Sequence, residues 1–400
     1  MDRENYIKQI LELKTDEEKM KMLKTLTLDE QIIVIKSFSD ENIKKYIGKF
    51  KYQYYFESLL DGIKDEMYKI EQFKKTKDLY TKLSIISETS NRDFQYKLIS
   101  MLDGSIYKDL LKTNFDKQNY IKDINLNVKY DIDPDITFGV ELEAYNPDCE
   151  FYKVLKNILV DWKFVNELSV KYGLELVSPI LKFDENSLKE LFYVCSMLQN
   201  NNFIANYNCG GHIHFGFDYI KNKQHLINFI NLYTNSQDIL YTISNRSGNC
   251  MRSCVNKYAV KIDRVATKLS YINFDKIKSL EECAKIVRET QLSRYYGLNL
   301  TRIGQKEKNT IEFRFPNGEL DFNELIHNIR LFSKLLEKSL NLDDCILYDN
   351  RLKNDEKLEI LFDILFDNEE DKNIYRDRYY NNKTFFDKYK YKKPINLYMI

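Results

Sequence analysis

No apolar run in the 400 residues reaches the roughly 18 needed to cross a bilayer. The opening segment, Met1-Asp2-Arg3-Glu4-Asn5, is charged and lacks the apolar core of a signal peptide. A cytoplasmic location is the expectation, with no membrane partner. Net charge is also missing. Lys+Arg and Asp+Glu each total 61, so broad electrostatic binding to nucleic acid is not expected. The seven cysteines are an odd number, at neither disulfide-like nor zinc-finger-like spacing. Cys250 and Cys254 could share a helix face, which reads as an incidental pair of thiols. Five prolines and twelve glycines are few for this length, and there are only four histidines.

Three zones follow along the chain. Residues 1–125 read as short helices, with apolar positions such as Ile7, Ile10, Leu11 and Leu13 at helical spacing. Two capping-box patterns occur, Thr15-x-x-Glu18 and Thr27-x-x-Glu30. Asp-Glu pairs at 16-17, 29-30 and 40-41 each open a new apolar segment. This suggests either a loose, solenoid-like repeat or an irregular helical bundle. Residues 130–340 change character. Alternating, strand-like runs lie near 136–145, 173–181, 203–218, 295–303 and 309–316. Helical stretches at 184–200, 223–244 and 275–291 separate them, and another runs from Asp321 to about Leu340. The pattern is α+β. Residues 341–400 read as a helical, aromatic-rich extension (Tyr375, Tyr379, Tyr380, Phe385, Phe386) docked on the middle zone.

The chemistry is concentrated on the strands. In Phe138-Gly139-Val140-Glu141-Leu142-Glu143 the two glutamates share one strand face, and Val140 and Leu142 share the other. Cys209-Gly210-Gly211-His212-Ile213-His214 does the same with two imidazoles. Thr310-Ile311-Glu312-Phe313-Arg314-Phe315-Pro316 does it with a carboxylate and a guanidinium. In Gly173-Leu174-Glu175-Leu176-Val177-Ser178-Pro179 a lone Glu175 sits between apolar neighbours. Each motif alone is ordinary: a solvated face, an incidental pair, a cross-strand ion pair. Four strands that each combine an apolar face with an unusual polar one point to a common cavity.

Clustered carboxylates repel and shift their pKa values upward unless something positive lies among them. Mg²⁺ or Mn²⁺ meets that need, since both favour carboxylate oxygen and Mn²⁺ also accepts imidazole. Arg314 supplies a fixed fork for phosphate. Gly210 and Gly211 permit close approach of backbone to a ligand. Metal plus arginine is the equipment of phosphoryl transfer.

These motifs resemble the amidoligase group within the glutamine synthetase-like carboxylate–amine ligases. Residues 138–143 are similar to the family's first metal-binding strand, 210–214 to its Gly-x-His-x-His strand, and 311–316 to its Glu-x-Arg-Phe-Pro strand. The Glu-Leu-Val-Ser-Pro segment falls at 175–179. The resemblance spans about 135–340 and implies a largely antiparallel sheet with flanking helices; the all-α domain expected ahead of it lies outside the resemblance and rests on the helical spacing of residues 1–125. It also implies ATP, with Glu141, Glu143, Glu175, His212 and Glu312 around Mg²⁺ or Mn²⁺. His214 would face the nucleotide phosphates and Arg314 the transferring phosphoryl group. Arg246 and Arg294 are further phosphate or substrate contacts. The group's Asp-Gly-Ser-like segment corresponds here to Asn166-Glu167-Leu168-Ser169, where the lost glycine changes the turn.

The implied activity is ligation of a carboxylate to an amine through an acyl phosphate, on small-molecule or on peptide or protein substrates. The N-terminal helices are candidates for recruiting a partner. Two rivals remain. One is a phosphotransferase on the same fold, whose guanidino-kinase representatives lack the His-x-His strand. The other is a nucleotide-binding protein without turnover. A binuclear hydrolase needs two further histidines, and only His225 and His327 remain, both in helical stretches.

Overall fold

The computed structural model describes residues 3–47, 53–77, 81–82, 85–86, 89, 91–102, 121–145, 161–167, 173–205, 208–246, 255–342 and 352–388. Its contacts define two compact units, one built on Met1–Tyr120 and one on Ile121–Pro147 with Asp161–Ile400. The chain is of the α+β class, with helices ahead of an open antiparallel sheet.

The described part of the first unit is helical: α1 (Arg3–Leu11), α2 (Asp16–Met22), α3 (Leu28–Ile35), α4 (Asp40–Tyr46), α5 (Gln53–Gly62), α6 (Glu66–Lys75) and α7 (Arg92–Ser100). Both expected capping boxes form. Thr15 Oγ1 accepts from the Glu18 N–H at 3.2 Å, and the Glu18 carboxylate accepts from the Thr15 N–H at 3.1 Å. Glu30 accepts from the Thr27 N–H at 2.7 Å. Each Asp-Glu pair falls in the first turn of a helix, where negative charge complements the helix dipole. Two of these aspartates do more. Asp16 accepts from the N–H and the hydroxyl of Ser39, the residue that opens α4. Asp40 accepts from the N–H groups of Lys64 and Asp65, ahead of α6. Each acid thus satisfies amides at a helix start 23 to 25 residues further on, donors that helix geometry leaves without an internal partner. We predict that Asp40→Ala speeds hydrogen exchange at the Lys64 and Asp65 amides and leaves the Ile213 amide of the sheet unchanged. Unaltered exchange at residues 64 and 65 would show that water replaces Asp40 without loss.

The second unit carries the sheet: β1 (Thr137–Tyr145), β2 (Lys163–Glu167), β3 (Gly173–Val177), β4 (Leu181–Lys182), β5 (Gly211–Gly216), β6 (Leu298–Asn299) and β7 (Thr310–Phe313). The order is β2-β3-β1-β5-β7-β6, with β4 paired to β1, and each of these pairings is antiparallel. Around it lie α8 (Glu185–Asn200), α9 (Lys223–Ile243), α10 (Val255–Tyr258), α11 (Asp263–Ser270), α12 (Leu280–Thr290), α13 (Phe322–Ser339), α14 (Asn354–Leu365) and α15 (Glu369–Lys388).

Four of the expected strands are shorter than their alternation suggests, the 309–316 run keeping only Thr310–Phe313. The 173–181 run divides into β3 and β4, because Ser178 leaves the ladder to fasten β1. Its hydroxyl accepts from the Val140 N–H at 2.9 Å and donates to the Pro179 carbonyl. The 203–218 run keeps only β5 as a strand, preceded by isolated bridges from Ile204 to Tyr145 and from Gly210 to Asn317. The 295–303 run keeps only β6. β2 was not expected. There Asn166 and Glu167 pair with Leu174 and Gly173 as strand rather than forming a turn, while Leu168 and Ser169 lie outside the described residues.

One face of the sheet is dry. Val140, Leu142, Leu176, Ile213, Phe215, Ile311 and Phe313 are buried on it. Phe313 stacks flat on Phe332 of α13, with centroids 4.1 Å apart and planes 2° apart. Tyr233 of α9 meets Phe313 edge-on. α14 and α15 belong to this same unit. Arg330 of α13 forks onto Asp131 and also reaches Asp371 of α15. Asn382 of α15 donates to the carbonyls of Thr242 and Asn245 at the end of α9. Truncating Phe332 to Ala is expected to cost about 3–5 kcal/mol in a denaturant titration, because the cavity opens beneath a strand that cannot move inward.

Candidate functional site

Register puts the polar motifs in a block on the other face. Glu141 sits opposite His212, and Gly139 opposite His214. His214 sits opposite Glu312, and Glu312 opposite Asn299. Glu143 pairs with Glu175 across β1 and β3. The side chains then converge. His212 Nδ1 lies 2.6 Å from Glu141 Oε2, and His214 Nε2 lies 3.0 Å from Glu141 Oε1. Both ring nitrogens are 4.0 Å from Glu312 Oε1. Arg314 Nη1 donates to that same Glu312 oxygen, and Asn299 Nδ2 donates to the other at 2.6 Å. The Gly210 N–H donates to Glu143 Oε2. Glu143 Oε1 is 3.9 Å from His212 Nε2, a buried nitrogen with no hydrogen-bond partner.

Among the described residues, Glu141, His214 and Glu312 offer ligand atoms that all lie within 4.8 Å of one another. The imidazole in this triad is His214, to which the sequence comparison gave the phosphates, while His212 bridges from Glu141 toward Glu143. Two other expected participants stand apart. Arg246 is exposed and pairs with Asp321, the cap of α13, at 3.6 Å. Arg294 lies over the Tyr295 ring, with its guanidinium carbon 5.3 Å from the centroid. Gly211 is small for a reason other than ligand approach: a Cβ there would meet the Asn317 carbonyl oxygen at 2.3 Å. His225 and His327 lie in α9 and α13, and His225 is occupied by the Leu336 carbonyl and the Lys221 N–H. Of the cysteines, Cys195, Cys209 and Cys283 are buried thiols outside any disulfide, and Cys250 and Cys254 lie outside the described residues. Asn299 went unread in the sequence. Its signal was the one that marked Glu175, a single polar residue between Leu298 and Leu300 in an alternating run.

Positive charge is built in. Burial alone pushes the Glu141 carboxyl upward, but hydrogen bonds from His212 and His214, and their charge, hold it well below the usual range. Glu312 is likewise raised by burial and, more strongly, lowered by His214, Arg314 and His212. Burial lowers His214, and its bond to Glu141 with the charges of Glu312 and Glu141 outweighs this and raises it. The sign for stability follows. The His214 contribution is complete below its ordinary pKa of 6.5 and fades as pH rises through the raised value. The Glu141 and Glu312 contributions are complete above 4.5 and fade as pH falls. Urea midpoints measured against pH should therefore fall on the alkaline side, and His214→Asn should flatten that limb. An alkaline limb that is identical in the variant removes His214 as its source.

The polar face of this antiparallel sheet gathers carboxylates, imidazoles and a guanidinium, residue types that coordinate cations and bind anions. A family model described as "Putative amidoligase enzyme" matches residues 101–336, more than half of the 400 residues. The chain belongs to this amidoligase family, and membership marks it as a ligase-type enzyme. No curated protein and no solved structure matches the chain. Among the described residues, no helix is long and apolar enough to cross a membrane.

Proposed function

We propose that the protein is an ATP-dependent ligase that joins a carboxylate to an amine through an acyl phosphate, with Mg²⁺ or Mn²⁺ as cofactor. The observation that carries this reading is the meeting of Glu141, His214 and Glu312 within 4.8 Å, beside a guanidinium bonded to Glu312. Two carboxylates and an imidazole suit such a cation. The orphaned His212 Nε2 facing Glu143, with Glu175 opposite, suits a second position on the same face. A bound divalent cation supplies charge neutralisation for phosphate oxygens.

The chain's own residues do the rest. Glu141, His214 and Glu312 hold the cation, and Asn299 keeps the Glu312 carboxylate turned toward it. Arg314 presents its planar guanidinium to the phosphoryl group in transfer. In the first step a carboxylate oxygen bonds to the γ-phosphorus as the bond to the bridging oxygen breaks and ADP leaves. In the second step the amine nitrogen attacks the acyl carbon, the C–O bond breaks, phosphate departs and the nitrogen gives up a proton. Catalysis here is positioning and electrostatics rather than covalent attack by the protein. The substrates are small molecules or a peptide or protein, and the N-terminal helices are the part free to recruit them.

The test is untargeted mass spectrometry of lysate incubated with ATP, Mn²⁺ and either the wild-type chain or Glu312→Gln. Condensation products lighter by one water are expected with the wild type alone, and Arg314→Lys should slow their formation on the order of 10³-fold. A phosphorylated product that forms without any amine would make the enzyme a kinase. No product at all, with nucleotide binding indifferent to Glu312→Gln, would sink the proposal.

A further inference from the structure

Beside the carboxylate centre is an aromatic shelf that folding alone does not require. Tyr258 closes α10 and Tyr295 precedes β6. Their rings meet edge to face at 5.5 Å. Tyr295 keeps 39 % of its surface exposed, and Tyr258 is half-buried. Cations frame the pair. Lys257 Nζ lies 4.8 Å from the Tyr258 centroid, and the Arg294 guanidinium lies 5.3 Å from that of Tyr295. The shelf is tied down by backbone. The Val260 N–H donates to the Tyr295 carbonyl at 2.9 Å, and the Gly297 N–H donates to the Val260 carbonyl at 2.7 Å. It is also joined to the centre. Arg314 Nε donates to the Tyr258 carbonyl at 3.4 Å, and the Arg314 N–H donates to the Gly297 carbonyl at 2.7 Å. The Arg294 guanidinium bonds to Tyr295 and sits in the field of Glu312 and Glu141.

We infer that Tyr295 and Tyr258 hold the base of a nucleoside triphosphate whose phosphates reach Glu141, His214 and Glu312 past Arg314. The inference rests on the nucleotide reading above and adds the place of the base. The chain of contacts carries it: Glu312 bonds to Arg314, Arg314 bonds to the Tyr258 and Gly297 carbonyls, and Lys257 and Arg294 lie over the Tyr258 and Tyr295 rings. A nucleoside triphosphate presents the matching order: a polyanionic end for the triad and Arg314, and a flat π-face for the rings. Bases stack on exposed aromatic faces largely without regard to sequence, and adjacent cations add to the attraction. The rival location is a cavity of about 650 Å³ lined by Val265, Leu292, Ser293 and Tyr296, among others. Neither Arg294 nor Tyr295 lines it.

The experiment is calorimetric titration of the full chain with Mn²⁺ present, using ATP and, separately, inorganic tripolyphosphate, which has the phosphates and no base. Tyr295→Ala should weaken ATP about tenfold or more and leave tripolyphosphate within about twofold, as expected for loss of one stacking platform. Tyr295→Phe should behave as wild type with both ligands. Equal weakening of the two ligands by Tyr295→Ala overturns the shelf. So does ATP affinity that neither Tyr295→Ala nor Tyr258→Ala changes, or that only Leu292→Ala or Tyr296→Ala reduces. In each of those cases the nucleotide reading stands. Wild-type protein that binds neither ligand removes the shelf and the reading beneath it together.

Discussion

The flat stack of Phe313 on Phe332 decides which side of β7 is dry, and strand geometry settles the rest. Side chains on a strand alternate, so burying Phe313 turns Glu312 to the opposite face. Antiparallel pairing then places His214 across from Glu312, and Glu141 across from His212. A one-residue slip of β7 would put Glu312 under α13 and Phe313 among the carboxylates. The aromatic cluster of Phe313, Phe315, Tyr233, Tyr241 and Phe332 is thus what holds the polar face in register.

The polar face would be unstable as carboxylates alone. Burial works against the charge on Glu141 and Glu312, and two imidazoles and a guanidinium reverse that effect. The centre therefore assembles with its charges already compensated. His214, raised by its carboxylate partners, and Arg314, bonded to Glu312, supply that compensation.

Much of this was legible in the chain because period-2 alternation and helical spacing are local signals. The helices at 184–200, 223–244 and 321–340 lie within a residue or two of their expected bounds. The four strand motifs fall on one sheet, with their polar residues on one face. What escaped depends on distant partners. β2 carries no strong alternation and exists through its ladder with β3. The reach of Ser178 back to Val140, which divides one expected strand in two, cannot be seen in the local pattern. Arg246 looked like its fellow arginines in sequence, but the end of α9 delivers it to Asp321. The resemblance put His212 on the metal and His214 on the phosphates; both share a face, and only three-dimensional convergence brings His214 together with Glu141 and Glu312. Asp16 and Asp40 were recognised as helix-opening acids, but their bonds to the starts of later helices required the folded unit.

Gly210 has a further consequence. Its N–H fixes the Glu143 carboxylate, and its own position is set by a bridge to Asn317. The Asn317 N–H is held by the Asn245 side chain at 3.0 Å. The Asn245 carbonyl in turn accepts from Asn382 of α15 at 2.9 Å. A carboxylate in β1 is thereby joined to α15 by a short relay of polar contacts rather than by the 238 residues between positions 143 and 382. The Glu143 edge of the centre therefore shares its tolerance with α15. The ribosome cannot finish that edge of the site until α15 has been made.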